Sequence, residues 1–110
     1  MAEFIYLFRG GNPQGSPEQM QQQMQKWRVW IDELGKKGQF KGGDPLDRTG
    51  KVVTGKQKVV TDGPYAEAKD LVGGYLMVTA ETLADAAELA KECPIFEHGG
   101  SVEVRPVMKM

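Results

Sequence analysis

Two segments of this sequence are apolar on both sides when they are read as β-strands, and they limit the folds open to the chain. Residues 3–9 (EFIYLFR) direct aromatic side chains to one face and Ile5 and Leu7 to the other. Residues 73–79 (GGYLMVT) repeat the pattern. Strands of this kind need cover on both faces, so the fold must bury two sides of its sheet.

Composition places the chain among ordinary globular proteins. It has 110 residues and a net charge of −1, which predicts one domain over residues 1–110 and gives no basic face for nucleic acid. No apolar run approaches the roughly 20 residues that span a membrane, and the N-terminus lacks a basic signal-peptide region. With Cys93 as its single cysteine, we expect a soluble, cytoplasmic protein.

Two helices are predicted between the strands. For the first helix, Ser16 is a good N-cap with Gln19 in the capping-box position. The second helix is predicted to begin after Thr82 and to end before Pro94. The expected core-facing residues are Met20, Met24, Trp27, Ile31 and Leu34 in the first helix, and Leu83, Ala86, Ala87 and Ala90 in the second.

Further strands are predicted at 40–46 and 101–107, and a hairpin at 51–54 and 56–61. The order β-α-β-(hairpin)-β-α-β predicts an α+β protein with a ferredoxin-like, split βαβ fold, an antiparallel sheet and an inserted hairpin. Two helices cover only one face of such a sheet. Because the central strands are apolar on both faces, we expect a homodimer that packs sheet against sheet.

A turn that breaks one strand and leads toward the next carries the first candidate site. Asp62, before Gly63-Pro64, could act as a general base if burial makes its carboxylate more basic, or it could only form the turn. Tyr65, Glu67 and Lys69 share one side of an extended segment. They could form a polar wall for a small ligand, or an exposed ion pair.

Three other side chains are candidates. His98 is the only imidazole, and imidazole exchanges protons near neutral pH, although it could simply lie in a surface loop. Arg105 could hold a carboxylate or join an ion pair, and Trp30 could line a cleft. Cys93 and His98 lack a third ligand for zinc, so no metal site and no cofactor are predicted.

The sequence contains four separated motifs in this order: Val60–Lys69, Gly73–Tyr75, Cys93-Pro94 and Val102–Val107. Together they resemble the DGPF-domain branch of the YCII-related family. Tyr65 stands where that branch has phenylalanine. The resemblance implies a ferredoxin-like fold and a dimeric α/β barrel. Relatives suspected of His/Asp chemistry carry the histidine on the first helix, where this chain has Trp27 and Trp30 instead, so that pair is not transferred.

Two functional hypotheses follow. In the first, the dimer has a cleft that binds a small molecule and acts as a cofactor-independent enzyme, with Asp62 as acid–base group assisted by His98. In the second, the same cleft belongs to a non-catalytic ligand-binding or regulatory dimer. The family resemblance implies a link to extracytoplasmic-function sigma factor signalling for some members. The sequence does not choose between enzyme and regulator.

Overall fold

The computed structural model describes residues 1–11, 15–63 and 70–110. Within these ranges the chain forms six strands, two α-helices and a 3₁₀ helix. In chain order they are β1 (Ala2–Arg9), α1 (Pro17–Lys36), β2 (Phe40–Pro45), β3 (Gly50–Thr54), β4 (Val59–Gly63), β5 (Val72–Ala80), α2 (Leu83–Ala90), the 3₁₀ helix (Pro94–His98) and β6 (Ser101–Pro106).

Four of the strands form an antiparallel sheet in the order β2-β5-β1-β6. The two strands predicted to be apolar on both faces, β1 and β5, occupy its centre. β3 and β4 pair only with each other, in a separate two-stranded sheet between β2 and β5 along the chain. This arrangement confirms the predicted α+β, ferredoxin-like fold with an inserted hairpin.

Both helices pack on one face of the sheet. From that face Phe4, Tyr6 and Phe8 project into the core, where all three are buried. The Tyr6 ring stacks on Trp30 with a centroid distance of 6.0 Å, and Trp30 donates its indole N–H to the Leu89 carbonyl at 3.2 Å. Aromatic packing and this hydrogen bond join α1, α2 and β1 into one core.

The opposite face, which we call the open face, carries apolar side chains that neither helix covers. Ile5 pairs with Met77 and Leu7 with Tyr75 in the β1–β5 register, and directly paired residues share a face. All four side chains are only partly buried. The two central strands were predicted to be buried on both faces, but within this protomer the helices cover only one face of the sheet.

Helix α1 begins as predicted, but its buried stripe is shorter than the apolar pattern suggested. Ser16 and Gln19 form a complete capping box. Trp30 and Leu34 are buried, whereas Met20 and Met24 are 46% and 57% exposed. The expectation that both methionines fill the core is wrong, because the first half of this 20-residue helix has no buried residue.

Helix α2 also buries a different face from the predicted one. Ala86 and Ala90 are buried with Leu89 packed beside them, while Leu83 is 48% exposed and Ala87 faces outward. The helix ends at Ala90 rather than just before Pro94, and Pro94–His98 form the 3₁₀ helix. The hairpin turn takes residues 55–58, so β4 starts at Val59.

None of the helices that the structure describes is both long and apolar enough to cross a membrane.

Candidate functional site

One end of the four-stranded sheet gathers most of the chain's irregular segments. We call it the site edge: β1 and β2 end there, and β5 and β6 begin there. Two glycines hold loops together at this edge. A Cβ on Gly11 would lie 2.6 Å from Ile95 Cγ1, and one on Gly100 would lie 2.9 Å from the Gly11 Cα. Only glycine permits this approach of the β1 end to the 3₁₀ helix.

A cavity of about 130 Å³ opens at the site edge. Its wall is formed by three chain segments that are far apart in the sequence: Gly10, the turn after β2 and the start of β5. Leu46 donates its backbone N–H to the Gly73 carbonyl at 2.9 Å, which fixes the turn against β5. The lining residues are Gly10, Leu46, Asp47, Arg48, Leu71, Val72 and Gly73.

Two arginines lie at this edge. Arg48 lines the cavity, and within the described ranges it forms no ion pair. Arg9, immediately before the cavity residue Gly10, donates to the Asp70 carbonyl at 2.5 Å and to the Glu103 carboxylate at 3.1 Å. Sequence reasoning missed both arginines, although the alternation along β1 places Arg9 on the same face as Ile5 and Leu7.

The carboxylate of Asp47 forms hydrogen bonds within the turn that lines the cavity. Its Oδ1 accepts from the Thr49 backbone N–H at 3.1 Å and from the Thr49 hydroxyl at 3.2 Å. The backbone hydrogen bond from Thr49, followed by the hydroxyl, holds the pKa of Asp47 below its ordinary value. Asp47 therefore stays ionised and acts as an acceptor that orders the turn, rather than as a proton-transfer group.

Asp62 lies on β4, outside the four-stranded sheet. Its side chain is 91% exposed, and its Oδ1 accepts from the Lys51 ammonium at 2.5 Å. Asp62 forms no buried site within the described residues, and the turn predicted for it, from Pro64 onward, lies outside them. No described hydrogen bond or ion pair connects Asp62 with His98.

His98 ends the 3₁₀ helix, three residues before β6 begins at the site edge. Its Nε2 is buried and has no hydrogen-bond partner within the described residues, and the same holds for Oε1 of Gln23 on α1. Lys26 and Glu97 form an ion pair of 2.7 Å that joins α1 to this 3₁₀ helix. This ion pair joins α1 to the residue next to His98, which is itself partly buried.

The other predicted residues are dispersed. Trp30 is only 4% exposed and lies in the core, so it lines no cleft in this protomer. Arg105 lies on the open face, opposite Ile5, and no ion pair within the described part of the chain includes it. Tyr65, Glu67 and Lys69 lie outside the described residues, so their predicted polar wall remains a prediction.

Among residues 1–11, 15–63 and 70–110, no three His, Cys, Asp or Glu side chains come together as a metal site.

The fold is that of a small α+β domain with a cavity at its strand ends. The sequence matches the family model of the YCII-related domain over residues 5–110. This protein therefore belongs to the YCII-related family, and the family resemblance seen in its motifs is confirmed at that level.

A solved structure shares the fold. It is 5-chloro-2-hydroxyhydroquinone dehydrochlorinase (TftG) from Burkholderia phenoliruptrix AC1100, in complex with 2,5-dihydroxybenzoquinone. The two chains are 17% identical, with a TM-score of 0.50, and the match covers 100% of this chain and 96% of the other. At this identity the likeness supports the fold alone. No curated protein matches the sequence significantly.

Proposed function

We propose that this protein is a homodimeric enzyme that binds a small, oxygen-rich anion at the site edge and performs acid–base chemistry on it. The cavity with Arg48 in its wall carries the proposal. A guanidinium without a described counter-ion, beside the backbone of Gly10 and Gly73, suits recognition of a carboxylate or phenolate. Arg9 lies at the same edge, where it is paired with Glu103.

His98 is the proposed acid–base group. A buried ring nitrogen without a partner is costly, and a ligand oxygen or a water bound there would satisfy it. Asp62, the residue first predicted for this role, is far more exposed in a single protomer. It remains a candidate only where a second copy approaches the hairpin, because a general base must lie within hydrogen-bond reach of the proton it takes.

The open face supports the homodimer. Its centre consists of Ile5, Leu7, Tyr75 and Met77, and its rim is polar, with Arg105 opposite Ile5 and Glu103 opposite Leu7. An apolar centre with a charged rim is the pattern of a protein interface. A two-fold copy would place this face against itself and cover both β1 strands at once.

Binding of 2,5-dihydroxybenzoquinone tests the cavity. This planar molecule has ionisable oxygens and serves as the probe. We expect Arg48→Gln to weaken its binding about tenfold, the typical effect of losing one charged hydrogen bond. Arg28→Gln, which removes an exposed arginine on α1, should leave affinity unchanged. Calorimetric titration measures the dissociation constant of the quinone for each variant. Equal affinity of the Arg48 variant and the wild type would exclude this cavity as the binding site.

Turnover needs a separate assay. Incubation with 5-chloro-2-hydroxyhydroquinone, with chloride release as the readout, shows whether elimination chemistry occurs. Release that is lost in His98→Gln would support the acid–base role. Binding of the quinone without any chloride release, across related phenols, would instead favour the regulatory alternative.

A further inference from the structure

We infer that the β3–β4 hairpin is an arm that docks on a second copy of this chain, with its lysine-bearing tip in an acidic groove along the partner's α2. The inference rests on the homodimer proposed above and adds a second contact to it. It is drawn from two surfaces of the same protomer that complement each other and do not meet.

The hairpin has little support from its own protomer. β3 and β4 pack chiefly against each other, and neither makes comparable contact with another described element. An isolated two-stranded hairpin is marginally stable in water. Val53, Val59 and Val60 are 60%, 51% and 60% exposed, so the hairpin has apolar surface that its own protomer does not bury.

The dimensions agree with a projecting element. The radius of gyration is 15.5 Å, whereas a compact chain of this length has about 13 Å. The molecule measures 46 × 44 × 19 Å. A broad, thin shape of this kind leaves the hairpin beside the four-stranded sheet rather than folded onto it.

The hairpin tip is positively charged. Residues 55–58 form the turn and include Lys56 and Lys58, which take part in no ion pair within the described ranges. Lys51, nearer the base, is already bound to Asp62. The tip therefore presents two ammonium groups ahead of the exposed valines.

The complementary groove lies at the other end of the sheet. It has a volume of about 370 Å³, and Leu89 gives it an apolar floor. Asp85 and Glu88 lie three residues apart on one side of α2, and Glu81 and Glu92 lie just beyond its two ends. Within the described residues, only Glu88 of this set has an ion-pair partner, Lys91. The acidic lining residues are Glu81, Asp85, Glu88 and Glu92.

The hairpin of one protomer is too far from that protomer's own groove, so the hairpin that occupies the groove must come from another copy. The hairpin is attached at the site edge, after β2 and before β5, whereas Gln39 and Glu81 of the groove flank the opposite ends of those strands. The nine residues of β5 span about 30 Å, and the five-residue strands of the hairpin reach about 17 Å. We place each arm in the groove of the other copy, so that in a two-fold dimer both contacts form together.

A charge-swap experiment on dimerisation tests this inference. The tip variant is Lys56→Glu with Lys58→Glu, and the groove variant is Glu81→Lys with Glu92→Lys. Each should raise the dimer dissociation constant about tenfold at low salt, since a dimer loses several exposed ion pairs. In an equimolar mixture both contacts are complementary again, so heterodimers should form with near wild-type affinity. Sedimentation of fluorescently labelled protein measures all three constants.

The control pair Lys36→Glu with Lys37→Glu makes the same charge change at the end of α1, and it should leave the dissociation constant unchanged. Mixed variants that associate no better than each variant alone would overturn the arm contact. If the dimer then still dissociates on substitution of Leu7 in the open face, the homodimer stands without the arm. A wild type that stays monomeric would overturn both.

Discussion

Tyr6 and Cys93 are the buried side chains whose protonation the fold controls most strongly. Burial is the main cause that raises the pKa of Tyr6 to about 12 from 10.0, with the neighbouring Cys93 adding to it. The Tyr6 hydroxyl donates to the Ala86 carbonyl at 2.5 Å. Burial likewise raises the pKa of the Cys93 thiol to about 12 from 9.0, partly opposed by a backbone hydrogen bond from Ile95. Both groups are held neutral, so Cys93 is a packing residue.

Alkaline pH should therefore destabilise the fold. The folded pKa of Cys93 lies above its ordinary value, so the unfolded chain loses this proton first. Stability is full below about pH 9 and falls as the pH rises toward 12, by at most about 1.4 kcal/mol per pH unit for one proton. Urea denaturation at pH 7, 9 and 10.5 measures the free energy of unfolding. Cys93→Ala should show a smaller decrease between pH 9 and 10.5, and an unchanged slope would contradict the assignment.

At the scale of elements, each helix is anchored by only part of its length. Trp30 and Leu34 anchor the second half of α1, whereas the first half depends on the capping box and on an ion pair from Lys26 to Glu97. α2 is short and contributes small alanines that lie close to the sheet. The beginning of α1 should thus open independently of the core, since local stability follows local burial.

Ser16→Ala tests this division within α1. Loss of an N-cap costs about 1 kcal/mol, and here the cost should appear as local fraying. We expect amides in the first two turns of α1 to exchange hydrogen about fivefold faster, while the global unfolding midpoint hardly changes. Ser101→Ala, at an exposed strand position without a cap, is the control. A large fall in the global midpoint would show that these turns belong to the core.

At the scale of the whole molecule, the sheet has one covered and one open face. The covered face holds the aromatic core, and the open face holds four half-buried apolar side chains with a charged rim. Assembly through that face would complete the burial that the central strands require. It would also bring two site edges and two hairpins into one molecule.

Leu7→Lys should weaken the proposed dimer strongly. Leu7 lies on β1 in the apolar centre of the open face, and each lysine would have to be taken out of water when the two faces meet. We expect at least a hundredfold increase in the dissociation constant by analytical ultracentrifugation, with the circular dichroism spectrum unchanged. Val29→Lys, at a position 55% exposed on α1, should have no effect. A wild type that sediments as a monomer at micromolar concentration would refute the dimer.

Features that depend on near neighbours in the chain could be predicted. The capping box needs only Ser16 and Gln19, and the order of strands and helices follows from apolar periodicity. Periodicity did not show where α1 crosses the sheet, so Met20 and Met24 were placed in the core and Trp30 in a cleft. The cavity could not be predicted for the same reason, because Gly10, Arg48 and Gly73 become neighbours only when the ends of three strands meet.

Local chemistry in the chain thus settled the element types, the family and the double-sided character of β1 and β5. Folding in three dimensions settled which side chains share a surface: it buried Trp30, left Asp62 on an outlying hairpin and set Arg48 in a cavity wall. The reason is physical. Turns and helices are stabilised by contacts a few residues apart, whereas a site is made by contacts between distant segments, whose relative positions come from packing of the whole core.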